Sequence, residues 1–305
     1  MSDTREGWEK GKPVRGLEFL ARQLVEGFIT GLHKSPYHGF SVEFAEHRLY
    51  NTGQDTKHID WKVYARTDKL FTRQYEEETN LRCLMVIDGS SSMFYPLPNQ
   101  GKIKFSIEAV SALAWLLHRQ RDAVGLCLFD ERIQETTPVS STRASLDKLY
   151  TTLEQYLLVG KNGQKKTNTA EILHEIAEKT HRRSLIILFT DMFESGANLD
   201  EIFKALQHLR HNRHEVLIFH VYDGATEVGF QFDDRPHEFI DLETGERLRL
   251  NPMEIRSGFQ ERMEEFHKKI SLNCHQLKVD LVRADIRLGF QAVLQAYLIK
   301  RSRMR

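Results

Sequence analysis

The sequence predicts a doubly wound α/β fold, in which helices cover both faces of a mostly parallel sheet. Four apolar runs, at residues 81–88, 123–130, 184–191 and 215–223, each end in an aspartate. Near-continuous apolar runs of this length are typical of strands buried on both faces of a parallel sheet. Helical patterns lie between them, and alternating strands and helices favour right-handed crossovers and hence this fold class.

An amphipathic helix is predicted near the start of the chain. Its apolar residues recur every three or four positions, which places on one face Leu17, Leu20, Leu24, Phe28 and Leu32. Further helices are predicted over residues 103–117, 169–179 and 199–209. These helices supply the crossovers that parallel strands need.

The C-terminal part of the chain adds a hairpin to this pattern. Glu243-Thr244-Gly245-Glu246 is a turn signal between two strand-like flanks, and it predicts a β-hairpin after the fourth strand. Residues 253–272 are predicted to be helical. A final strand over residues 276–282 and a final helix over 288–298 complete the sheet.

Two segments are expected from this organisation. Residues 1–80 are predicted to form an N-terminal helix and an irregular, partly β segment that packs on the main domain. Residues 81–305 are predicted to form the α/β domain, with the hairpin inserted at about residues 228–252. Strands from residues 38–80 could join the hairpin in a small β subdomain.

The composition indicates a globular protein without a global electrostatic preference. The chain has 43 basic and 43 acidic residues, so its charge suggests neither nucleic acid nor an anionic membrane as partner. Its three cysteines lie far apart, which argues against a disulfide framework. No early apolar run is long enough for a signal peptide or a bilayer span. We therefore expect a cytoplasmic protein.

A carboxylate and two hydroxyls follow the first of the four apolar runs. Asp88, Ser90 and Ser92 alternate along a short loop, and Gly89 permits the sharp turn that such a loop needs. Ligands bind at the carboxyl ends of strands in open parallel sheets. Because Mg²⁺ prefers oxygen ligands in an octahedral array, the loop is a candidate metal site.

Two more oxygen donors are expected at the same edge. Thr167 lies near the start of a predicted helix, and Asp191 ends another predicted strand. With Asp88, Ser90 and Ser92, they resemble the metal-ion-dependent adhesion site of von Willebrand factor type A domains. The resemblance implies that Ser90 and Ser92 bind Mg²⁺ or Mn²⁺ directly. It also implies that Thr167 binds directly or through water, while Asp88 and Asp191 hold coordinated waters or the metal itself.

Two other interpretations of this loop stay open. The serines could cap a helix that begins near Lys102, with Asp88 as a turn residue. A serine nucleophile is the sharper alternative, but the loop is not Gly-x-Ser-x-Gly and no histidine is obviously placed as a general base. His220 lies within a predicted strand and is expected to be a buried sheet residue.

A second pattern, in residues 38–80, is independent of the metal motif. Its elements are Glu43-Phe44, Arg48-Leu49-Tyr50, the run from Gly53 to Trp61, Ala65-Arg66 and Glu77-Glu78. They resemble the prokaryotic family of unknown function numbered fifty-eight, and the resemblance extends over nearly the whole chain. Gln54 and Lys57 replace an acidic residue and an arginine of that family, which would weaken a bidentate ion pair there.

We interpret this irregular segment as a structural clasp rather than a binding surface. Asp55, Asp60, Arg48 and Arg66 are expected to form buried or half-buried ion pairs. Trp61 is expected to pack over the sheet.

The residues and the resemblance together predict a binding module rather than an enzyme. A metal with one open coordination position would accept an Asp or Glu carboxylate from a partner protein. The resemblance implies that this partner is a MoxR-type AAA+ ATPase and that the chain is an adaptor in the maturation or assembly of other complexes. The alternative is a Mg²⁺-dependent hydrolase or phosphatase in which Asp88 and Asp191 help to activate water.

Overall fold

The computed structural model describes residues 15–32, 47–49, 64, 66, 71–73, 81–97, 101–160, 168–192 and 199–303. The chain divides into two compact units, Met1–Phe28 with Leu81–Arg305, and Ile29–Asn80. Helix α1, Arg15–Leu32, begins in the larger unit, whereas the sequence prediction groups it with the irregular segment. In the smaller unit, strands β1 (His47–Leu49) and β2 (Phe71–Arg73) pair antiparallel.

A six-stranded sheet forms the centre of the larger unit and confirms the predicted fold class. Its strands are β3 (Arg82–Asp88), β4 (Ala123–Phe129), β5 (Ile133–Ser140), β6 (Leu185–Thr190), β7 (Glu215–Tyr222) and β10 (Asp280–Asp285). Their order is β10-β7-β6-β3-β4-β5, and all neighbours are parallel except β4 and β5. β4 and β6 are buried along their whole length, which explains their continuous apolar sequence.

Helices cover both faces of this sheet. They are α2 (Gly101–Arg119), α3 (Arg143–Val159), α4 (Thr169–Lys179), α5 (Leu199–His211), α6 (Pro252–Gln276) and α7 (Gln291–Arg303). On one face, Val86 and Leu188 pack in a core with buried residues of α4, α5 and α6. Met85 and Ile87, which alternate with Val86, point to the opposite face, where α2 contacts β3 and β4. Full burial of such side chains contributes about 1.5–3 kcal/mol each.

Two of these elements were missing from the sequence prediction. β5 is an edge strand whose residues are mostly half-buried or exposed, so it lacks the apolar run of a central strand. α3 does carry a detectable pattern, because Leu146, Leu149 and Leu153 are buried at helical spacing. Thr142 caps its start by accepting a hydrogen bond from the amide of Ser145.

The hairpin lies where the turn signal predicts it. β8 (His237–Ile240) pairs antiparallel with β9 (Arg247–Leu250). Among the described residues, this ribbon and β1–β2 are separate two-stranded sheets. The last strand begins at Asp280 rather than at residue 276, because α6 continues to Gln276 with Ile270 and Cys274 buried.

Several smaller expectations can be checked in the described residues. Arg66 is exposed, which differs from the prediction that it forms a buried or half-buried ion pair. Asp55, Asp60 and Trp61 lie outside the described residues, as does the side chain of Arg48. All three cysteines are buried and free. No helix in the described ranges combines the length and the apolar character needed to cross a membrane.

Candidate metal site

The predicted aspartates meet at the carboxyl edge of the sheet. β3 and β6 are parallel neighbours, with Ile87 in register with Phe189. Asp88 ends β3, and Asp191 directly follows the last residue of β6. Adjacent parallel strands thus bring both carboxylates to the edge where open α/β sheets bind ligands.

Asp88 is fully buried, and hydrogen bonds fix its carboxylate. Asp88 Oδ1 accepts a hydrogen bond from the amide of Ser90 at 2.9 Å, and Oδ2 accepts one from the hydroxyl of Thr190 at 2.8 Å. Burial, and then the charge of Asp191, raise the pKa of Asp88 to about 7. Ionising this carboxylate is therefore costly unless a positive charge lies beside it.

The two motif serines present their hydroxyl oxygens side by side. Ser90 Oγ and Ser92 Oγ are 3.0 Å apart. Two neighbouring ligands of an octahedral Mg²⁺ ion, each at ~2.1 Å from the metal, lie ~3.0 Å from each other. The hydroxyl pair therefore has the spacing that a shared cation requires.

These serines do not cap the helix that follows. α2 begins at Gly101, after a separate 3₁₀ helix at Ser91–Phe94. Ser90 flanks that short helix, but its side chain makes no capping hydrogen bond. The helix-capping interpretation is therefore not supported by the local geometry.

A buried lysine holds Asp191, and sequence reasoning missed it. Lys102 Nζ donates hydrogen bonds to Asp191 Oδ2 at 2.8 Å and to Glu227 Oε1 at 2.5 Å. Burial alone lowers the pKa of Lys102, but these two carboxylates outweigh it and raise the pKa above its ordinary value. A single lysine near a helix start is common on surfaces, so no sequence pattern indicates this ion pair.

The tight loop after β3 has a steric need for glycine. A Cβ atom added to Gly89 would lie 2.0 Å from Tyr156 Oη and 3.1 Å from the carbonyl oxygen of Phe129. The Gly89 amide also donates a hydrogen bond to that carbonyl at 2.6 Å. Gly89 therefore lets the loop approach β4 and α3 closely.

Thr167, the fourth predicted ligand, lies outside the described residues. Its neighbour Asn168 precedes α4 and donates its amide hydrogen to the carbonyl oxygen of Asp130 at 3.3 Å. Asp130 directly follows β4, which pairs with β3. The described start of α4 is thus attached to the same edge of the sheet as Asp88.

A further carboxylate at the site comes from the hairpin turn, and no sequence pattern indicates its place there. Glu243 interacts with the hydroxyl of Ser92. Burial, and then the charges of Asp191 and Asp88, raise the pKa of Glu243 to about 7. Its Oε1 atom is buried without a hydrogen-bond partner. The turn signal predicted the loop, but it did not predict where the loop would point.

The donor set fits a hard divalent cation. When ionised, the carboxylates of Asp88, Asp191, Glu227 and Glu243 outweigh the charge of Lys102 by three negative charges. Hydroxyl and carboxylate oxygens are the ligands that Mg²⁺ and Mn²⁺ prefer. In the described residues, no group of three or more His, Cys, Asp or Glu is arranged to hold a metal. A metal bound here would therefore need the serine hydroxyls among its ligands.

His220 is a buried residue of β7, as the sequence predicts. Its ring nitrogen Nε2 donates a hydrogen bond to the carbonyl oxygen of Asp191 at 2.9 Å. Burial, followed by the neighbouring His267, lowers the pKa of His220 to about 3, so the ring is neutral. This histidine fixes the backbone beside the site.

The fold and the site define a mostly parallel α/β protein with a hydroxyl- and carboxylate-lined loop at the carboxyl edge of its sheet. Residues 46–269 match the model of the family described as Protein of unknown function DUF58. The chain belongs to this family, which confirms its predicted resemblance to the family of unknown function numbered fifty-eight.

Curated proteins of two mycobacterial species share part of this sequence. Uncharacterized proteins of Mycobacterium bovis and Mycobacterium tuberculosis are 24% identical over 212 residues, which cover 69% of this chain. The aligned region spans 64% of the length of these curated relatives. A crystal structure of the conserved hypothetical protein BatB from Bacteroides thetaiotaomicron aligns with a TM-score of 0.42 and 16% identity, over 71% of this chain and 98% of that one.

Proposed function

We propose that this protein is a metal-dependent module for binding other proteins. In this proposal, a Mg²⁺ or Mn²⁺ ion at the edge of the sheet accepts a carboxylate from an Asp or Glu of the partner. The observation that supports it best is the pair of serine oxygens 3.0 Å apart beside the buried Asp88. A cation with an incomplete protein shell carries net positive charge and attracts such a carboxylate strongly.

The residues have separate roles in this proposal. Ser90 and Ser92 bind the ion through their hydroxyl oxygens, and Asp88 and Asp191 hold its waters or bind it directly. Thr167 is retained as a ligand, direct or through water, by the resemblance to the adhesion site. Lys102 fixes one oxygen of Asp191, which orients the carboxylate and limits its freedom to turn.

The partner class rests on the family resemblance. We propose a MoxR-type AAA+ ATPase in the cytoplasm, with the chain as an adaptor in the maturation or assembly of other protein complexes. The balanced charge of the sequence supports a protein partner rather than nucleic acid.

Catalysis is not part of the proposal. The Mg²⁺-dependent hydrolase alternative needs a group that stabilises a leaving group. Lys102 is a basic residue beside Asp191, to which it donates a hydrogen bond. Its ammonium group is fully buried and bonded to two carboxylates, so this lysine does not favour the alternative. Metal-dependent hydrolysis of a phosphate ester by the purified chain would reverse this choice.

Partner capture tests the proposal. The purified chain is immobilised and offered the MoxR-type ATPase of the same genome, with Mg²⁺ or with a chelator. We expect capture with Mg²⁺ and its loss with the chelator. Asp88→Ala should abolish capture, whereas Glu246→Gln, an exposed change in the hairpin turn, should leave it intact. Equal capture by Asp88→Ala and wild type contradicts the proposal.

A further inference from the structure

The hairpin turn brings Glu243 to the candidate metal site. The carboxylate of Glu243 interacts with Ser92, and Ser92 Oγ lies 3.0 Å from Ser90 Oγ. Glu243 Oε1 is buried and has no hydrogen-bond partner. Leaving a buried acceptor unsatisfied costs about 1–3 kcal/mol or more, so this orientation calls for a compensating partner.

Hydrogen bonds within the turn fix the backbone that carries Glu243. Asp241 Oδ1 accepts hydrogen bonds from the amides of Glu243 at 2.7 Å and Thr244 at 3.1 Å. Gly245 has a φ of 76°, a left-handed conformation that glycine adopts without strain, and its amide donates to the Asp241 carbonyl. Asp241 thus fixes the backbone on both sides of Glu243.

The hairpin is anchored by aromatic packing and by hydrogen bonds from α6. Phe230 packs against Phe239 and Phe259, with ring centroids 5.5 and 4.4 Å away. Arg256 of α6 donates hydrogen bonds to the carbonyl oxygens of Phe230 and Phe232, both at 3.1 Å. These contacts hold the hairpin against α6, and none of them involves the turn that carries Glu243.

We propose that Glu243 is an internal ligand of the metal, in the position that a partner's carboxylate takes. This inference rests on the proposed function, and it adds a ligand from the hairpin to the five donors predicted from the sequence. A cation beside Ser92 would pair with the unsatisfied Oε1. It would also offset the electrostatic repulsion of Glu243 by Asp88 and Asp191. A partner then binds by displacing Glu243, so the hairpin limits which carboxylates reach the metal.

Mn²⁺ binding to the full chain tests this inference with a readout other than partner capture. Water-proton relaxation reports how many water molecules the bound Mn²⁺ holds, and titration gives its affinity. In Glu243→Ala we expect one more bound water and an affinity at least about tenfold lower than in wild type. Acetate, as the simplest carboxylate, should displace that extra water. Glu246→Ala removes an exposed carboxylate from the same turn and should match wild type.

The outcomes separate the two claims. If Glu243→Ala matches wild type in affinity and water number while Asp88→Ala loses Mn²⁺, Glu243 is not a ligand and the proposed function stands. If wild type binds no Mn²⁺, both claims fail. Unchanged unfolding midpoints for the two turn variants in chelator show that the comparison is between folded proteins.

Discussion

At the scale of single residues, the candidate site combines one short loop with side chains that lie far from it in the sequence. Asp88, Ser90 and Ser92 lie within five positions, so their shared loop was visible in the sequence. Lys102 and Glu227 became visible only in the structure, because their ion pair joins the start of α2 to the turn after β7. Removing one member of a buried ion pair leaves the other charge without compensation.

Lys102→Met is predicted to destabilise the fold. The change leaves the carboxylates of Asp191 and Glu227 close together in a buried site, which should cost about 3–5 kcal/mol of unfolding free energy. Urea unfolding in the presence of chelator measures this cost. The matched control is Lys104→Met, an exposed change on the same helix, and equal effects of the two variants contradict the structural role of Lys102.

Residues that follow an apolar run could be predicted as site residues, whereas those positioned by tertiary contacts could not. Asp191 was predictable because it ends an apolar run, and the carboxyl ends of parallel strands share an edge. Thr190 precedes it inside the strand, where a threonine has no special signal, yet its hydroxyl donates to Asp88. Glu243 could not be predicted because turn chemistry specifies a loop's shape and leaves its direction to tertiary packing.

At the scale of elements, the hairpin carries Glu243 to the candidate site and is attached to α6. Central strands were predictable from their apolar runs, whereas β5 is a polar edge strand that contains Pro138, an accepted residue at edges. The hairpin's turn was predictable, but its attachment to α6 depends on aromatic packing around Phe230, which is 5% exposed.

Phe230→Ala is predicted to loosen the hairpin selectively. Loss of the ring removes the contacts with Phe239 and Phe259, so the amides of β8 and β9 should exchange with deuterium faster. Amides of β3 should keep their protection. Leu248→Ala, at a hairpin side chain 61% exposed, serves as the control. Unchanged exchange in both strands of the Phe230 variant would show that the ring does not anchor them.

At the scale of the whole molecule, the parallel sheet explains why the residues of the candidate site meet at this edge. Three consecutive parallel neighbours, β4, β3 and β6, end at one edge, and their following loops carry Asp130, the serine loop and Asp191. The buried strands fix the ends of these loops rigidly, because their side chains are packed on both faces. The fold class therefore followed from the sequence pattern alone, and the site's general location followed from the fold class.

Calorimetric titration of the purified chain with Mn²⁺ tests the central claim most directly. We predict saturable binding by wild type and by Asp280→Asn, a change at the amino end of β10, far along the sheet from the serine loop. Asp88→Ala should show no binding heat while its unfolding midpoint in chelator does not fall. Absence of binding by wild type, or binding by Asp88→Ala with wild-type affinity, would contradict the account.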